Sequence, residues 1–481
     1  MATKKFSAWA RMTAVGAALA VSMLGLAGTA HAAEPGNIDP AKTTSLTLHK
    51  FETPNPAWAT KNDGNAITVP ADAVPLEGVQ FKVTPVTAKD AVAIDLTTPA
   101  GWDAIKGATP AAVQAAPWTL GTPIEDATTK TGADGTFSKA LPKGLYLVQE
   151  TGAGNNQISG PTPAFLVTLP FPDAGGNKWI YDVHVYPKND VSHEVVEKTV
   201  NDPSLVTQPA DVVWDITVPI AAGPFTKVEI KDTLDSRLTY KSVAIVQDGT
   251  TLPASYYDVT GNVVITFTET GLANLKPNKP LEIALTTTVP AGSLGIIDNT
   301  VDVAVNDWLS STDPTDPNYP GGPVDPDDPD FPVLPSTNWG KLQVTKHVAG
   351  SETTVLGGAE FAVYSDATAT TQVGTITTDA TTGIGSLNLW VGNDDDVTQK
   401  YWLKETKAPA GYVLDATVRE ITVTADETVA STVNQNVANT KHTGPDLPLT
   451  GSSGTLGMVA AGLALVVVGG GLAYRRRSHT A

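Results

Sequence analysis

The 481-residue chain contains no cysteine. That excludes thiolate nucleophiles, thiolate metal sites and disulfide staples at once. Basic charge is scarce: 31 Lys and Arg stand against 50 Asp and Glu, a formal net charge of −19. Such a chain has no basic face to neutralise phosphates, so nucleic acid is excluded as a partner. Aromatic residues are few, at 6%, whereas Thr, Val, Ala, Gly and Pro are abundant, a mix that suits strands and turns. There is no HExxH, no P-loop and no dinucleotide fingerprint. No cofactor, metal or turnover chemistry is therefore expected. The acidic stretch DPTDPNYPGGPVDPDDPDFP and the turn NDDD lack EF-hand spacing and read as solvated.

Both ends carry signals. A basic stretch with Lys4, Lys5 and Arg11 precedes an apolar region and the Ala30-His31-Ala32 pattern, which reads as a secretory signal peptide cut after Ala32. Near the other end stands Leu447-Pro448-Leu449-Thr450-Gly451, then an apolar run from Leu456 to Tyr474, then Arg475, Arg476 and Arg477. At about 1.5 Å rise per residue that run just spans a hydrocarbon core of roughly 30 Å. The arginines fit the cytoplasmic side. A secreted multidomain protein without disulfides must find mechanical stability elsewhere.

The length suggests about three domains. Residues 33–190 read as a β-sandwich with a small helical insertion, in which Thr109-Pro110 looks like an N-cap and N1 proline. Residues 191–312 give a second run of alternating strands without a helix of any length. Residues 313–337 form a Pro/Asp-rich linker, because proline removes ladder donors and blocks helix. Residues 338–443 give a third β-domain that echoes the first. LQVTK matches LTLHK, LGGAEF matches LEGVQF and YWLKET matches YLVQET, in the same order. These are internal repeats of one fold. Residues 444–481 hold the terminal signal.

The repeats put polar residues on faces that should be apolar. By period two, Lys346 shares the face of Leu342 and Val344, Glu405 that of Tyr401 and Leu403, and Asn439 that of Val437. In the middle domain Lys198, Asp232 and Asn299 fall on apolar faces in the same way. In the first, Lys50, Glu150 and Asn189 do. Such groups are costly to bury unless they meet one another.

WIYDVHVYPK fits WxxxVxVYPK through Trp179, Val183, Val185, Tyr186, Pro187 and Lys188, and YWLKETKAPAGY fits the "E-box" YxLxETxAPxGY. With LPLTG and its apolar run, the chain resembles the sortase-assembled shaft pilins of Gram-positive bacteria, and its third domain resembles a Cna type B domain. The resemblance implies an all-β chain of tandem Ig-like, Cna-type β-sandwich domains with a C-terminal transmembrane sorting signal. It implies Lys-Asn isopeptide crosslinks at Lys346-Asn439 and Lys198-Asn299, with Glu405 and Asp232 shuttling protons. The first domain lacks the APxGY part of the E-box, which leaves Lys50-Asn189, with Glu150, open. It further implies that a sortase cleaves between Thr450 and Gly451 and joins Thr450 to Lys188 of an identical subunit.

On this reading Trp179, Val183 and Val185 anchor the strand in the core, Pro187 ends the ladder, and Lys188 projects exposed. The expected protein is the major structural subunit of a wall-anchored surface pilus that supports adhesion, not an enzyme. Its expected partners are a pilin sortase, identical subunits, minor or tip pilins, and peptidoglycan through a housekeeping sortase. The rivals are a stand-alone wall-anchored adhesin and a wall-bound hydrolase. The first would keep LPLTG without needing Lys188; the second would need a carboxylate pair or triad that nothing singles out.

Overall fold

The computed structural model describes residues 38–442, apart from residues 59, 61, 176–177, 203–205 and 426–432. The signal peptide, Thr450 with the rest of LPLTG, and the apolar run after it lie outside the described residues. Among the described residues no helix is long and apolar enough to cross a membrane.

Strands form where side chains alternate. In Ala210–Val218 the residues Val212, Trp214, Ile216 and Val218 are buried, while Asp211, Asp215 and Thr217 are exposed. Strict alternation of this kind places one sheet face on a core and the other in water.

In the N-terminal unit, Thr44–His49 pairs parallel with Asp182–Val185 and antiparallel with Thr136–Leu141. A second sheet is built on Gln80–Lys89 and Gly144–Gly152. Leu46, Leu48, Phe81, Val83 and Val167 pack between them. The middle unit is two five-stranded sheets, one centred on Leu281–Val289 and one on Val228–Asp232. In the third, Ser336–Val348 pairs antiparallel with Ile384–Asn393 and parallel with Val433–Asn439. The facing sheet carries Glu360–Tyr364 and Thr398–Lys407.

The internal repeat is visible in register. Phe81 stands opposite Glu150 in the first unit, and Phe361 stands opposite Glu405 in the third. The sequence-matched segments therefore occupy matched positions in the two sheets.

Two local expectations are corrected. The helix of the first unit is Pro99–Ile105, not a helix at Thr109-Pro110. Thr98 caps it by accepting from the Gly101 N–H at 3.2 Å, with Pro99 in the first turn. Thr109-Pro110 opens only a turn that leads into a 3₁₀ segment, Ala112–Gln114. In the middle unit a helix of six residues does form, Glu269–Asn274, capped by Thr268, with Glu269 in its first turn. Its cap and acid were the available signal. The strand that carries LQVTK begins at Ser336 and pairs antiparallel with Gly295–Asp298 of the middle unit.

That last pairing makes the middle and third units continuous. Trp339 is fully buried in the middle unit's core, with Trp390 packed beside it. Asp202 accepts from Trp390 Nε1 at 3.0 Å and from Asn393 Nδ2 at 3.1 Å. Between 313 and 335 the chain makes turns and no strand or helix.

Replacing Trp339 with alanine should cost about 3–5 kcal/mol, as for other buried tryptophans. Thermal unfolding would show it as a fall in the melting transition. Leu309→Ala, at a 45% exposed position, should leave that transition in place.

Candidate functional site

In the third unit three separate strands deliver the polar set. Lys346 comes from Ser336–Val348, Glu405 from Thr398–Lys407 and Asn439 from Val433–Asn439. All three are at most 1% exposed. Lys346 Nζ lies 3.4 Å from Glu405 Oε1. The Asn439 Nδ2 amide donates to the other oxygen, Oε2, at 2.9 Å, and to the Val413 carbonyl at 2.7 Å. The Asp415 N–H also donates to Oε2, at 2.8 Å. Glu405 thus straddles the site, one oxygen towards the amine and one towards the amide nitrogen. Lys346 Nζ, Glu405 Oε1 and Asn439 Oδ1 are buried without hydrogen-bond partners. Unsatisfied polar atoms gathered at one point of a core demand an explanation.

The first unit repeats this geometry. Lys50 Nζ lies 2.9 Å from Glu150 Oε2, and Asn189 Nδ2 donates to Glu150 Oε1 at 2.6 Å. Lys50 Nζ also donates to Asn189 Oδ1. The Thr162 N–H donates to that same Oδ1 at 2.6 Å. The degraded E-box therefore still presents its glutamate, because Glu150 is held by strand register rather than by the missing APxGY part.

In the middle unit Lys198 Nζ donates to Asp232 Oδ2 at 2.5 Å and to the Thr300 carbonyl at 3.1 Å. Asn299, 2% exposed, adjoins that carbonyl, and neither of its amide atoms has an aligned hydrogen bond. The structure therefore brings together the three residues of the set in the first and third units, and in the middle unit sets Lys198 on Asp232 with Asn299 beside that carboxyl.

Electrostatics follow from burial. Desolvation pushes the Lys50 and Lys198 amines down to about 8, although Glu150 and Asp232 oppose the shift. Lys346 is lowered for the same reason, against Glu405. Desolvation raises Asp232, against its partner Lys198. A lysine near 8 spends part of its time as a neutral, nucleophilic amine at ordinary pH. An aromatic ring faces each amine: Phe81 at 5.9 Å, Trp214 at 5.4 Å and Phe361 at 5.7 Å. These rings were not singled out as site residues from sequence. Phe81 and Phe361 close the matched LEGVQF and LGGAEF segments, which was the available signal.

Lys188 is placed differently from expectation. The ladder does not end at Pro187: Lys188–Val191 forms a strand, with Lys188 opposite Phe51 and parallel to it. The proline falls in a gap between two pairings, where no N–H is needed. Lys188 is half-buried, with Nζ 4.1 Å from the centre of the Trp58 ring and donating to the Tyr186 carbonyl at 3.3 Å. Desolvation lowers its amine. Val183 and Tyr186 are buried, Val185 packs on the core from its margin, and Trp179 is half-buried against Trp102 at 5.3 Å.

The architecture is that of a chain of tandem β-sandwich units, and comparisons with known proteins bear this out. Residues 41–190 match the Gram-positive pilin subunit D1 N-terminal domain, residues 340–437 a prealbumin-like fold domain, and residues 439–478 the LPXTG cell wall anchor motif. The chain is 33% identical to the fimbrial subunit type 2 of Actinomyces naeslundii, over 98% of this chain and 97% of that protein. It is 30% identical to the fimbrial subunit type 1 of Actinomyces viscosus, over 94% and 95%. The full-length major pilin SpaD of Corynebacterium diphtheriae superimposes with a TM-score of 0.52 at 27% identity, covering 85% of this chain and 100% of that one. The chain belongs to the family of Gram-positive fimbrial subunits. It is a structural subunit of a cell-wall-anchored surface pilus, carried to the wall by an LPXTG signal.

The lysine shift has a sign that can be measured. Asn299→Ala removes the middle unit's amide and keeps Lys198 as a free amine. Its folded value near 8 lies below the unfolded value of 10.5, so between them the unfolded chain binds more protons. Folding stability of this variant should therefore rise as pH increases from about 8 to about 10.5. Urea unfolding at the two ends of that window checks it; a fall in stability over the same window contradicts it.

Proposed function

We propose that this subunit polymerises through Lys188 and stiffens itself through Lys346-Asn439, Lys198-Asn299 and Lys50-Asn189 amide crosslinks. A dedicated pilin sortase would take Thr450 as a thioester, releasing the chain from Gly451 onward. The Lys188 amine of the next subunit would then displace the sortase sulfur. A housekeeping sortase would finally join the polymer to peptidoglycan, and minor or tip pilins would share the fibre. The division into units 33–190, 191–312 and 338–443 belongs to this reading, with the shared strand starting at Ser336.

The observation that carries the crosslinks is the straddling carboxyl. Neutral Lys346 Nζ attacks Asn439 Cγ, forming the N–C bond. One amine proton passes to Glu405 Oε1. The same carboxyl delivers a proton from Oε2 to Nδ2, which leaves as ammonia. Glu405 ends as it began, so the reaction occurs once per site and needs no co-reactant. Glu150 is arranged for the same transfer. Asp232 would act similarly in the middle unit.

Purified residues 33–443 should weigh less than their own sequence by one ammonia per bond: two for Lys346-Asn439 and Lys198-Asn299, and a third for Lys50-Asn189. Glu405→Ala should restore one ammonia while retaining the fold, with lower thermal stability. A mass equal to the sequence mass rules out the crosslinks. Independently, Lys188→Ala should abolish the high-mass ladder in immunoblots of wall extracts while monomer is still secreted. A ladder that persists removes Lys188 as the acceptor. A stand-alone anchored adhesin would give a single band from the unaltered protein.

A further inference from the structure

Strands Asp182–Val185 and Lys188–Val191 do not lie open on the first unit. Described residues between Thr53 and Pro75 lie against them. The ends of this segment are tied beside the strands: the Thr53 N–H donates to the Asn189 carbonyl at 2.7 Å, and the Glu52 N–H to the Val74 carbonyl at 2.9 Å. Between these ends the His184 N–H donates to the Gly64 carbonyl at 3.0 Å. The Ile67 N–H donates to the Tyr186 hydroxyl at 3.0 Å. The segment thus touches residues of WIYDVHVYPK at successive points.

Trp58 is the part of that segment which reaches Lys188. Its ring stands edge-on to Phe51, centroids 5.3 Å apart and planes at 63°. Phe51 is the residue opposite Lys188 in the ladder. The indole is therefore braced by the neighbouring strand and turns its face to Nζ at 4.1 Å. A ring in this place acts on a lysine in two ways. Its π-face attracts the ammonium and fixes where it sits. Its bulk excludes water, which disfavours the charge. Lys50, itself paired with Glu150, is close enough to feel the Lys188 charge. Trp58 and the Tyr186 carbonyl, the direct contacts, are uncharged.

We propose that Trp58 is the positioning residue of the acceptor amine, holding Lys188 Nζ at one fixed, water-poor place on the edge of the first unit. This rests on the reading of Lys188 as acceptor. In the transfer, Nζ forms a bond to the thioester carbon of Thr450. The carbon–sulfur bond breaks, and the sortase sulfur leaves with the electron pair and takes up the proton that the amine loses. A lysine already confined and desolvated loses less freedom and less hydration on reaching that carbon than one on a free stem. Lys42 and Lys89 also lie over rings, those of Tyr181 at 4.9 Å and Trp118 at 4.7 Å, but Lys188 stands nearest its ring, at 4.1 Å.

The test uses the full mature chain and two readouts. The first is timed acetylation with an N-hydroxysuccinimide ester across a pH series, with Lys188 occupancy followed by peptide mass spectrometry. Trp58→Ala should move the pH midpoint of Lys188 acetylation upward, towards that of the exposed lysines, and Trp58→Phe should keep most of the wild-type value. The second is the wall-extract ladder, which should drop severalfold in Trp58→Ala and recover in Trp58→Phe. An unmoved midpoint, or an undiminished ladder in Trp58→Ala, overturns the proposal. A faster acetylation with an unmoved midpoint also overturns it, because Trp58 would then be only a cover. If the ladder survives Lys188→Ala, the acceptor reading itself fails, and that outcome is separate from the midpoint measured at Lys188.

Discussion

Taking a lysine ammonium out of water is the constraint around which this chain is arranged. Lys50 and Lys346 are 0% exposed and Lys198 only 7%. Burying an unpaired charge costs several kcal/mol even after relaxation. Each lysine is therefore met by a carboxyl, and each carboxyl must come from another strand. That requirement fixes strand register across the sandwich: Phe81 opposite Glu150, Phe361 opposite Glu405. A paired buried charge is still poor evidence of stability by itself. Converting the amine to an amide, as proposed, would remove the charge altogether. It would also close a loop of roughly a hundred residues, which for a disulfide is worth on the order of 4 kcal/mol. In a chain without cysteine, such a bond would take the place of a disulfide.

The units are joined by more than linkers. The ladder between Gly295–Asp298 and Ser336–Trp339 adds a strand from the middle unit's chain to the third unit's sheet. Val206 and Gln208 add to the junction: the Trp390 N–H donates to the Val206 carbonyl, and Asn388 to Gln208. The first and middle units meet through the Ala222 N–H donating to the Ile158 carbonyl and Asn278 to the Ser159 carbonyl. Backbone pairing resists bending more than a polar side-chain contact does, and here it joins the middle and third units. The acidic loop from 313 to 335 leaves and rejoins these units without separating them.

Much of the site could be read from strand parity. A lysine two residues beyond Val344 must share its face, and Lys346 does. The same argument placed Glu405, Asn439 and the middle set. Parity says nothing of a residue whose strand partner is remote in sequence, and Lys188 is such a residue. Its environment depends on Trp58, which lies in a segment without periodicity, so an exposed lysine was the default expectation. Pro187 was read as a terminator because proline lacks a donor, yet it sits where no donor is called for. Two of the Thr-Pro pairs illustrate a similar limit. Thr98-Pro99 and Thr109-Pro110 carry the same capping signal, and only packing decides that the first opens an α-helix and the second a 3₁₀ turn.

Lys188 stands on the last strand of the first unit, and from there the chain runs directly into Glu197–Asn201. In a fibre joined at that side chain, tension enters the subunit at Lys188 and leaves at its C-terminal end. Everything before Lys188 is then a side branch, spared the pull. Within the other units the load meets Lys198 and Lys346 early and Asn299 and Asn439 late. A covalent bond within each pair would shunt force past the strands between them. Such a fibre would stretch little under flow, and its first units would ride on it as unloaded appendages.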